Sequence, residues 1–305
     1  MREAKNQLFC NPQTGVCSIQ SDEKSYPTPI LPLKADKKIK VIYFTDPICS
    51  SCWGIEPQLR KLKLTYPHLI DIDYKMGGLL PNWNYNAGDI SGPADVAKHW
   101  DEASLHYQMP IDGDVWLEQP LDSSYPPSIA FKAAQAIDPD KAIAFLRYLR
   151  EAVFLKKQNI TLEITWHQAA QKANLDELKL KALIHFGQAE KAFQEDLTLA
   201  QQLGIRGFPS LLFLNQQQQQ KMIYGAQDFT VLENSIKTLV PQAKAQNYPK
   251  DLASLSAIFS SLCPKEYAVL ANISLAQAQD ELDQAYQQEK MHRYITKNGN
   301  WYAKK

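Results

Sequence analysis

Two cysteines separated by two residues, Cys49 and Cys52, lie at a predicted junction between a strand and a helix. The preceding run 39–45 is rich in β-branched and aromatic residues, which is typical of a buried strand. The following run 53–64 has apolar residues at helical spacing. The first turn of a helix has unpaired N–H groups and the positive end of the helix dipole. We therefore expect a thiolate at Cys49 to be stabilised there and its pKa to be lowered.

This placement favours redox chemistry for the pair. Cys52 lies three residues after Cys49, close enough to resolve a mixed disulfide formed by the first thiol. The alternatives are half of a zinc site or two thiols without a chemical role. The context of strand, dithiol and helix favours the redox interpretation.

A proline at the start of a later apolar run gives the second signal. Phe208 and Pro209 precede the run 210–214, which predicts a strand. Proline cannot donate to a strand ladder, and a cis bond is accessible only before proline. A cis bond here would turn the Phe208 backbone toward the dithiol, where an extended substrate peptide could pair by strand addition. The alternative is a proline that simply begins a strand.

Together, the segments 46–53 and 204–209 resemble those of the DsbA-like branch of the thioredoxin superfamily. The sequence is most similar to the cytoplasmic FrnE-type dithiol-disulfide isomerases and to the SpxH adaptors of the ClpXP protease. The resemblance covers roughly residues 38–240. It implies a thioredoxin-like α/β fold of the DsbA type with a large helical insertion at about 91–200.

The resemblance also implies roles for four residues. Cys49 would be the nucleophile, Cys52 the resolving thiol, and Pro209 the cis-proline beside them. Glu56 matches an acidic residue four positions after the second cysteine, and on a helix it would share a face with Cys52. Its carboxylate could then accept the Cys52 proton. The alternative for Glu56 is a solvated helix charge.

Two further positions, Phe208 and Trp53, are implied as substrate contacts. The pair between the cysteines departs from the secreted relatives, because Ser50 and Ser51 replace the frequent Pro-His pair. This difference favours a reductase or isomerase over a strong oxidant. Aromatic and methionine side chains of the insertion could line a peptide groove, but an ordinary core is the favoured interpretation. They are Trp83, Trp100, Tyr107, Met109 and Trp116.

The segment 1–37 is expected to be a mostly irregular arm that carries two cysteines. Cys10 and Cys17 flank a turn-rich spacer, and a loop this short can close a disulfide. One interpretation is an auxiliary redox pair that exchanges with Cys49 and Cys52. A metal site would need two further ligands, and the remaining alternative is free thiols on a tail.

Residues 250–305 are expected to form a separate unit of three helices followed by a hairpin at Asn298-Gly299. This order predicts a small winged-helix-like α+β domain. Such domains can bind DNA through the third helix, but here that helix is acidic, and the segment has seven basic and six acidic residues. A protein-contact or packing module is therefore favoured.

Composition narrows the function classes. The chain of 305 residues has 33 basic and 33 acidic residues, which argues against a large nucleic-acid footprint. No apolar stretch approaches the roughly 20 residues that span a bilayer, so no membrane contact is expected. The first residues mix charges and lack an apolar signal segment, so a cytoplasmic location is expected.

These observations predict a cytoplasmic thiol–disulfide oxidoreductase, of the disulfide isomerase or reductase type, acting on protein or peptide disulfides. No cofactor or metal is expected beyond the redox-active disulfide, which thioredoxin or a small thiol would recycle. The alternative is an SpxH-like adaptor that holds a client protein for a ClpXP-type protease, with little or no redox catalysis.

Overall fold

The computed structural model describes residues 9–11, 16–18, 36–83 and 92–305. Up to residue 240 its elements are, in chain order, β1 (Phe9–Asn11), β2 (Val16–Ser18), β3 (Ile39–Thr45), α1 (Ser50–Gly54), α2 (Glu56–Thr65), β4 (Ile70–Met76), α3 (Pro93–Tyr107), α4 (Val115–Glu118), α5 (Tyr125–Ile137), α6 (Pro139–Lys156), α7 (Glu163–Lys172), α8 (Glu177–His185), α9 (Gln188–Gln202), β5 (Gly207–Phe208), β6 (Ser210–Asn215), β7 (Gln220–Tyr224) and α10 (Phe229–Leu239). The remaining elements are α11 (Leu252–Ile258), β8 (Ser261–Leu262), α12 (Pro264–Ala271), α13 (Leu275–Gln287), β9 (Met291–Thr296) and β10 (Gly299–Lys304).

A four-stranded mixed sheet in the order β4-β3-β6-β7 forms the centre of the larger unit. β3 pairs parallel with β4 and antiparallel with β6, and β6 pairs antiparallel with β7. β3 is buried along almost its whole length because it is an inner strand of this sheet. The strands predicted before the dithiol and after Pro209 are confirmed.

Seven helices, α3 to α9, lie between β4 and β5 and confirm the predicted helical insertion. Within the insertion, α5 begins at Tyr125, with Pro126 and Pro127 in its first turn. Proline is tolerated there because the first helical N–H groups have no partner within the helix. The favoured interpretation of an ordinary core is confirmed for Trp100, Met109 and Trp116, which are almost fully buried.

The chain after residue 250 has a small core of its own, built around Leu255, Leu270 and Leu282. The three predicted helices and the final hairpin are present, and α12 packs against α2 of the larger unit. β10 also pairs with β8, which gives a three-stranded antiparallel sheet. The strand β8 was not predicted, because two residues are too few to show an alternating pattern.

The described parts of the N-terminal arm include two short strands that the sequence analysis did not predict. β1 pairs antiparallel with β2, and β2 pairs antiparallel with β5. The rest of that arm up to residue 35 lies outside the described residues. No helix in the described part of the chain is long and apolar enough to cross a bilayer.

Candidate functional site

The two cysteines of the C-x-x-C motif lie at the start of α1, directly after the loop that leaves β3. Cys49 is the N-cap residue, and its Sγ accepts a hydrogen bond of 3.2 Å from the backbone N–H of Cys52. Both thiols are free and fully buried. The local sequence therefore produces the predicted arrangement of a strand, a dithiol and a helix N-terminus.

The expected lowering of the Cys49 pKa is wrong for this arrangement. Burial raises the pKa of Cys49 well above its ordinary value, and the hydrogen bond from the Cys49 thiol to Cys52 adds to this effect. The single backbone N–H from the helix start is too weak to reverse the cost of burying a charge. The sequence pattern could not reveal that Cys49 is covered.

The thiolate of the pair is favoured on Cys52 instead. Burial by itself would raise the pKa of Cys52, but four contacts together lower it. These contacts are the hydrogen bond from Cys49, the positive charge of Arg150, the hydroxyl of Thr45 and a backbone hydrogen bond with Asp46. Of the two thiols, Cys52 therefore has the lower pKa.

Arg150 is a functional candidate that the sequence analysis missed. Its guanidinium is almost fully buried and donates to the Thr45 hydroxyl at 2.6 Å and to the Asp46 carbonyl at 3.3 Å. A signal was present, because Arg150 lies four residues after Leu146 and four before Phe154, on the apolar face of α6. A charged residue on such a face needs a buried partner.

Glu56 lies in the first turn of α2, with 8% of its surface exposed. Its carboxylate accepts a hydrogen bond of 3.2 Å from Arg150 and lies 3.6 Å from Arg60. Glu56 therefore pairs with two arginines and is not the solvated helix charge of the alternative interpretation. Its role as acceptor of the Cys52 proton stays a prediction.

Asp46 is a second group that the sequence analysis did not assign to the site. Its carboxylate is fully buried and accepts hydrogen bonds from the backbone of Ile48 and Leu79 and from the Ser124 hydroxyl. Burial raises the pKa of Asp46 to about 6, although these hydrogen bonds oppose the shift. Its negative charge contributes to the raised pKa of Cys49.

The peptide bond between Phe208 and Pro209 is cis, as the sequence motif indicated. The ring of Phe208 is buried against Gly77, where an added Cβ would lie 1.8 Å from the ring. The Phe208 backbone is paired in the antiparallel ladder with Cys17. A strand therefore occupies the position at which the sequence analysis expected a substrate peptide.

The prediction that the Trp53 side chain contacts substrate is wrong for this structure. Its ring is fully buried, stacks on Phe154 with centroids 5.4 Å apart, and donates through Nε1 to the Pro110 carbonyl. The guanidinium of Arg147 covers the ring at 4.3 Å. Trp53 therefore joins α1 to the helical insertion instead of facing a ligand.

The N-terminal arm contacts the dithiol directly. The Sγ of Cys17 lies 3.3 Å from the Sγ of Cys49 and is fully buried. Cys17 is in a disulfide bond, and Cys10 is the residue opposite it in the ladder between β1 and β2. The Ser51 hydroxyl lies 3.5 Å from the Cys17 sulfur. Within the part of the chain that the structure describes, no cluster of His, Cys, Asp and Glu is arranged to hold a metal ion.

Buried ion pairs connect the site with the C-terminal unit. Arg147 binds Glu266 of α12 at 2.7 Å and Glu151 at 2.7 Å, and Arg60 lies 3.2 Å from Glu266. Arg60 also reaches Glu56, which in turn binds Arg150 beneath the dithiol. This set of three arginines and three glutamates, here called the ion network, extends from Cys52 to α12 and balances its own charge.

These features define a thioredoxin-like protein of the DsbA type. A C-x-x-C motif lies at a helix N-terminus, a cis-proline directly follows the strand that pairs with Cys17, and a helical insertion interrupts the mixed sheet. The sequence model of the Thioredoxin family matches residues 43–234. A Nitrosomonas europaea protein assigned as a protein disulfide isomerase has a similar structure, with a TM-score of 0.60, 18% identity, and coverage of 67% of this chain and 98% of its own. The cytosolic disulfide reductase DsbM of Pseudomonas aeruginosa has a TM-score of 0.53 and 19% identity, over 65% of this chain and 99% of its own.

The similarity extends further in one group of relatives. The ClpXP adapter protein SpxH of Halalkalibacterium halodurans is 30% identical over 307 residues, which is 99% of this chain and 99% of that protein. The chain therefore belongs to the thioredoxin family and, within it, to the family of SpxH proteins.

Proposed function

We propose that this chain is a cytoplasmic adaptor that presents a client protein to a ClpXP-type protease. The observation that carries the proposal is the similarity to an SpxH adapter over 99% of both chains. The disulfide reductase DsbM, by contrast, is matched over 65% of this chain. The part of this chain that the reductase does not match is therefore shared with the adapter.

The C-terminal unit supports the adaptor role as a winged-helix-like module for protein contact. Its hairpin exposes large apolar side chains, with 75% of Ile295 and 45% of Tyr294 accessible to solvent. Exposed apolar residues of this kind favour a protein partner. α13 carries Asp280, Glu281 and Asp283, which disfavours contact with nucleic-acid phosphates.

The adaptor role is tested by protein half-lives measured in cells of the native host. We expect deletion of the gene to lengthen the half-lives of a small set of proteins, and loss of the ClpX unfoldase to lengthen those of the same set. Complementation with the wild-type chain or with the double variant Cys49→Ser/Cys52→Ser should restore rapid turnover, because holding a client needs no thiol chemistry. If no half-life depends on both the chain and ClpX, the adaptor proposal fails.

A second candidate function is thiol–disulfide exchange at Cys49 and Cys52, with Pro209 beside them. A specific observation favours it: both thiols are free at a helix N-terminus, and the nearby charge of Arg150 lowers the pKa of Cys52, which favours the thiolate that resolves a mixed disulfide. In this proposal Cys49 attacks a protein disulfide, Cys52 resolves it, and thioredoxin or a small thiol recycles the pair. Glu56 would accept the Cys52 proton during resolution, as the resemblance implies.

Equilibration against glutathione and catalysed reduction of insulin disulfides test this second function. A potential of roughly −270 to −180 mV with catalysis is expected for a reductase or isomerase. Cys49→Ser should abolish turnover, and Cys52→Ser should accumulate mixed disulfides. Full activity in Cys49→Ser would contradict the mechanism.

A further inference from the structure

The sulfur atoms of the arm and of the dithiol are close enough to react. Cys17 is disulfide-bonded, Cys49 is a free thiol, and their Sγ atoms lie 3.3 Å apart. Reacting atoms in a near-attack arrangement lie about 3 to 3.5 Å apart. Both side chains are fully buried, so the contact lies in the protein interior and not at its surface.

The backbone of the arm is also bound as a substrate peptide would be. Cys17 pairs with Phe208 and Ser18 pairs with Gly207, immediately before Pro209. Peptides bound by strand addition gain affinity from such main-chain hydrogen bonds. The approach is close, because an added Cβ at Gly207 would lie 2.7 Å from the Cys17 carbonyl oxygen and 2.4 Å from Val16 Cγ1.

We propose that the N-terminal hairpin β1–β2 is an internal disulfide substrate of the C-x-x-C motif, and that Cys17 exchanges its disulfide with Cys49. This proposal rests on the redox role given above as the second candidate function. We assign Cys10 as the disulfide partner of Cys17, because the two residues are directly opposite in the ladder. The docked hairpin then closes the groove to other peptides until exchange or undocking frees it.

The exchange balances without an external oxidant or reductant. The Cys49 proton passes to the Cys52 thiolate, and Cys49 forms a bond to Cys17 as the bond between Cys17 and Cys10 breaks. The departing Cys10 sulfur takes the proton from Cys52. Cys52 then bonds to Cys49, and Cys17 leaves as a thiolate. The motif is oxidised to a disulfide by two electrons, and the hairpin is reduced to one thiol and one thiolate.

Two matched double variants test the proposal. In Cys10→Ser/Cys52→Ser the remaining cysteine of the arm is Cys17, which contacts Cys49. In Cys17→Ser/Cys52→Ser the remaining cysteine of the arm is Cys10. Each full-length variant is titrated with glutathione disulfide, alkylated and analysed by intact mass and peptide mapping. We expect the first variant to form a disulfide between Cys17 and Cys49, and the second to carry glutathione on Cys49. The ratio of internal disulfide to glutathione adduct should be at least about tenfold higher in the first variant, since a preformed contact gives a high effective molarity.

The outcomes separate this inference from the function on which it rests. If Cys49 takes up glutathione in both variants without bonding to Cys17, the inference is overturned and the dithiol function stands. Equal internal disulfide formation in both variants also overturns it, because the contact with Cys17 would then not be specific. If Cys49 reacts with neither Cys17 nor glutathione, the redox function fails together with the inference.

Discussion

At the scale of single residues, Arg150 is one of the groups that lower the pKa of Cys52. It is a buried cation that contacts Thr45 and the Asp46 carbonyl, and its charge lowers the pKa of Cys52. The sequence analysis expected the helix N-terminus to stabilise a thiolate at Cys49. In the structure it contributes one N–H to Cys49. A buried charge acts strongly on a neighbouring thiol because little water screens it.

Replacing this charge should shift the titration of the pair. In Arg150→Gln we expect the lower thiol pKa to rise by about one unit or more, since an opposite charge at close range shifts a pKa by about 1 to 3 units. The thiolate ultraviolet absorbance followed against pH measures it. Arg206→Gln makes the same change at an exposed arginine and should leave the titration unchanged. An unchanged titration in Arg150→Gln would contradict the assignment.

Asp46 gives the protein a pH dependence of defined sign. Its pKa is raised from 3.8 to about 6, so the folded state binds its proton more tightly than the unfolded state. The stability from this group is present below about pH 4 and is lost as pH rises through 6. The free energy of unfolding of wild type relative to Asp46→Asn should therefore fall over this window, by about 3 kcal/mol. Urea unfolding of both proteins between pH 4 and 7 measures it, and a constant difference would rule it out.

The residues that could be predicted are those whose signal is local. Cys49, Cys52 and Pro209 follow from short motifs next to a strand. Arg150 could not be placed in the site, because its partners Glu56 and Thr45 lie 94 and 105 residues away in the sequence. The covering of Cys49, which raises its pKa, likewise depends on a contact with Cys17 that no local pattern encodes.

At the scale of elements, the short strand β2 contacts the dithiol directly. It covers Cys49 and pairs with β5 beside Pro209. The long strands β3 and β6 were predicted because each has a continuous run of apolar residues. β1 and β2 were missed because three residues form a strand only when a partner edge such as β5 is available.

Loosening β2 should expose the first thiol. In Gly207→Ala the new methyl group would overlap Val16 and the Cys17 carbonyl, so the arm must shift. We expect iodoacetamide to alkylate Cys49 about tenfold faster, which corresponds to docking weakened by about 1.4 kcal/mol. Peptide mapping against time measures the rate.

Gly92→Ala is the matched control for this variant. Among the residues that the structure describes, a Cβ at Gly92 would meet no atom within 4 Å, so the alkylation rate of Cys49 in this variant should equal that of wild type. Equal rates in all three proteins would mean that β2 does not protect Cys49.

At the scale of the whole molecule, the ion network joins the C-terminal unit to the dithiol. Glu266 of α12 is fully buried and binds Arg147 and Arg60, which belong to α6 and α2. Buried ion pairs contribute little net stability when complete, but removing one partner leaves an uncompensated charge. The sequence predicted the helices of both units from their periodicity, but not this connection, because charge pairing across units leaves no periodic signal.

Removing one charge of the network should destabilise the protein as a whole. We expect Glu266→Gln to lower the free energy of unfolding by about 3 kcal/mol, as for a broken buried ion pair. Glu289→Gln is the matched control, since the Glu289 side chain is 87% exposed and its one described ion pair is 3.9 Å long. Urea unfolding followed by circular dichroism measures both. A loss equal to that of the control would mean that the network does not hold the two units together.

The docked strand β2 also determines what any binding measurement on this protein reports. A segment tethered to its own groove competes at an effective concentration that is typically millimolar for a short flexible connection. The apparent dissociation constant of an added peptide equals its intrinsic value divided by the fraction of molecules whose groove is open. A weak peptide affinity for the intact chain therefore measures competition with residues 16–18, and the intrinsic affinity of the groove is obtained from a variant in which β2 cannot dock.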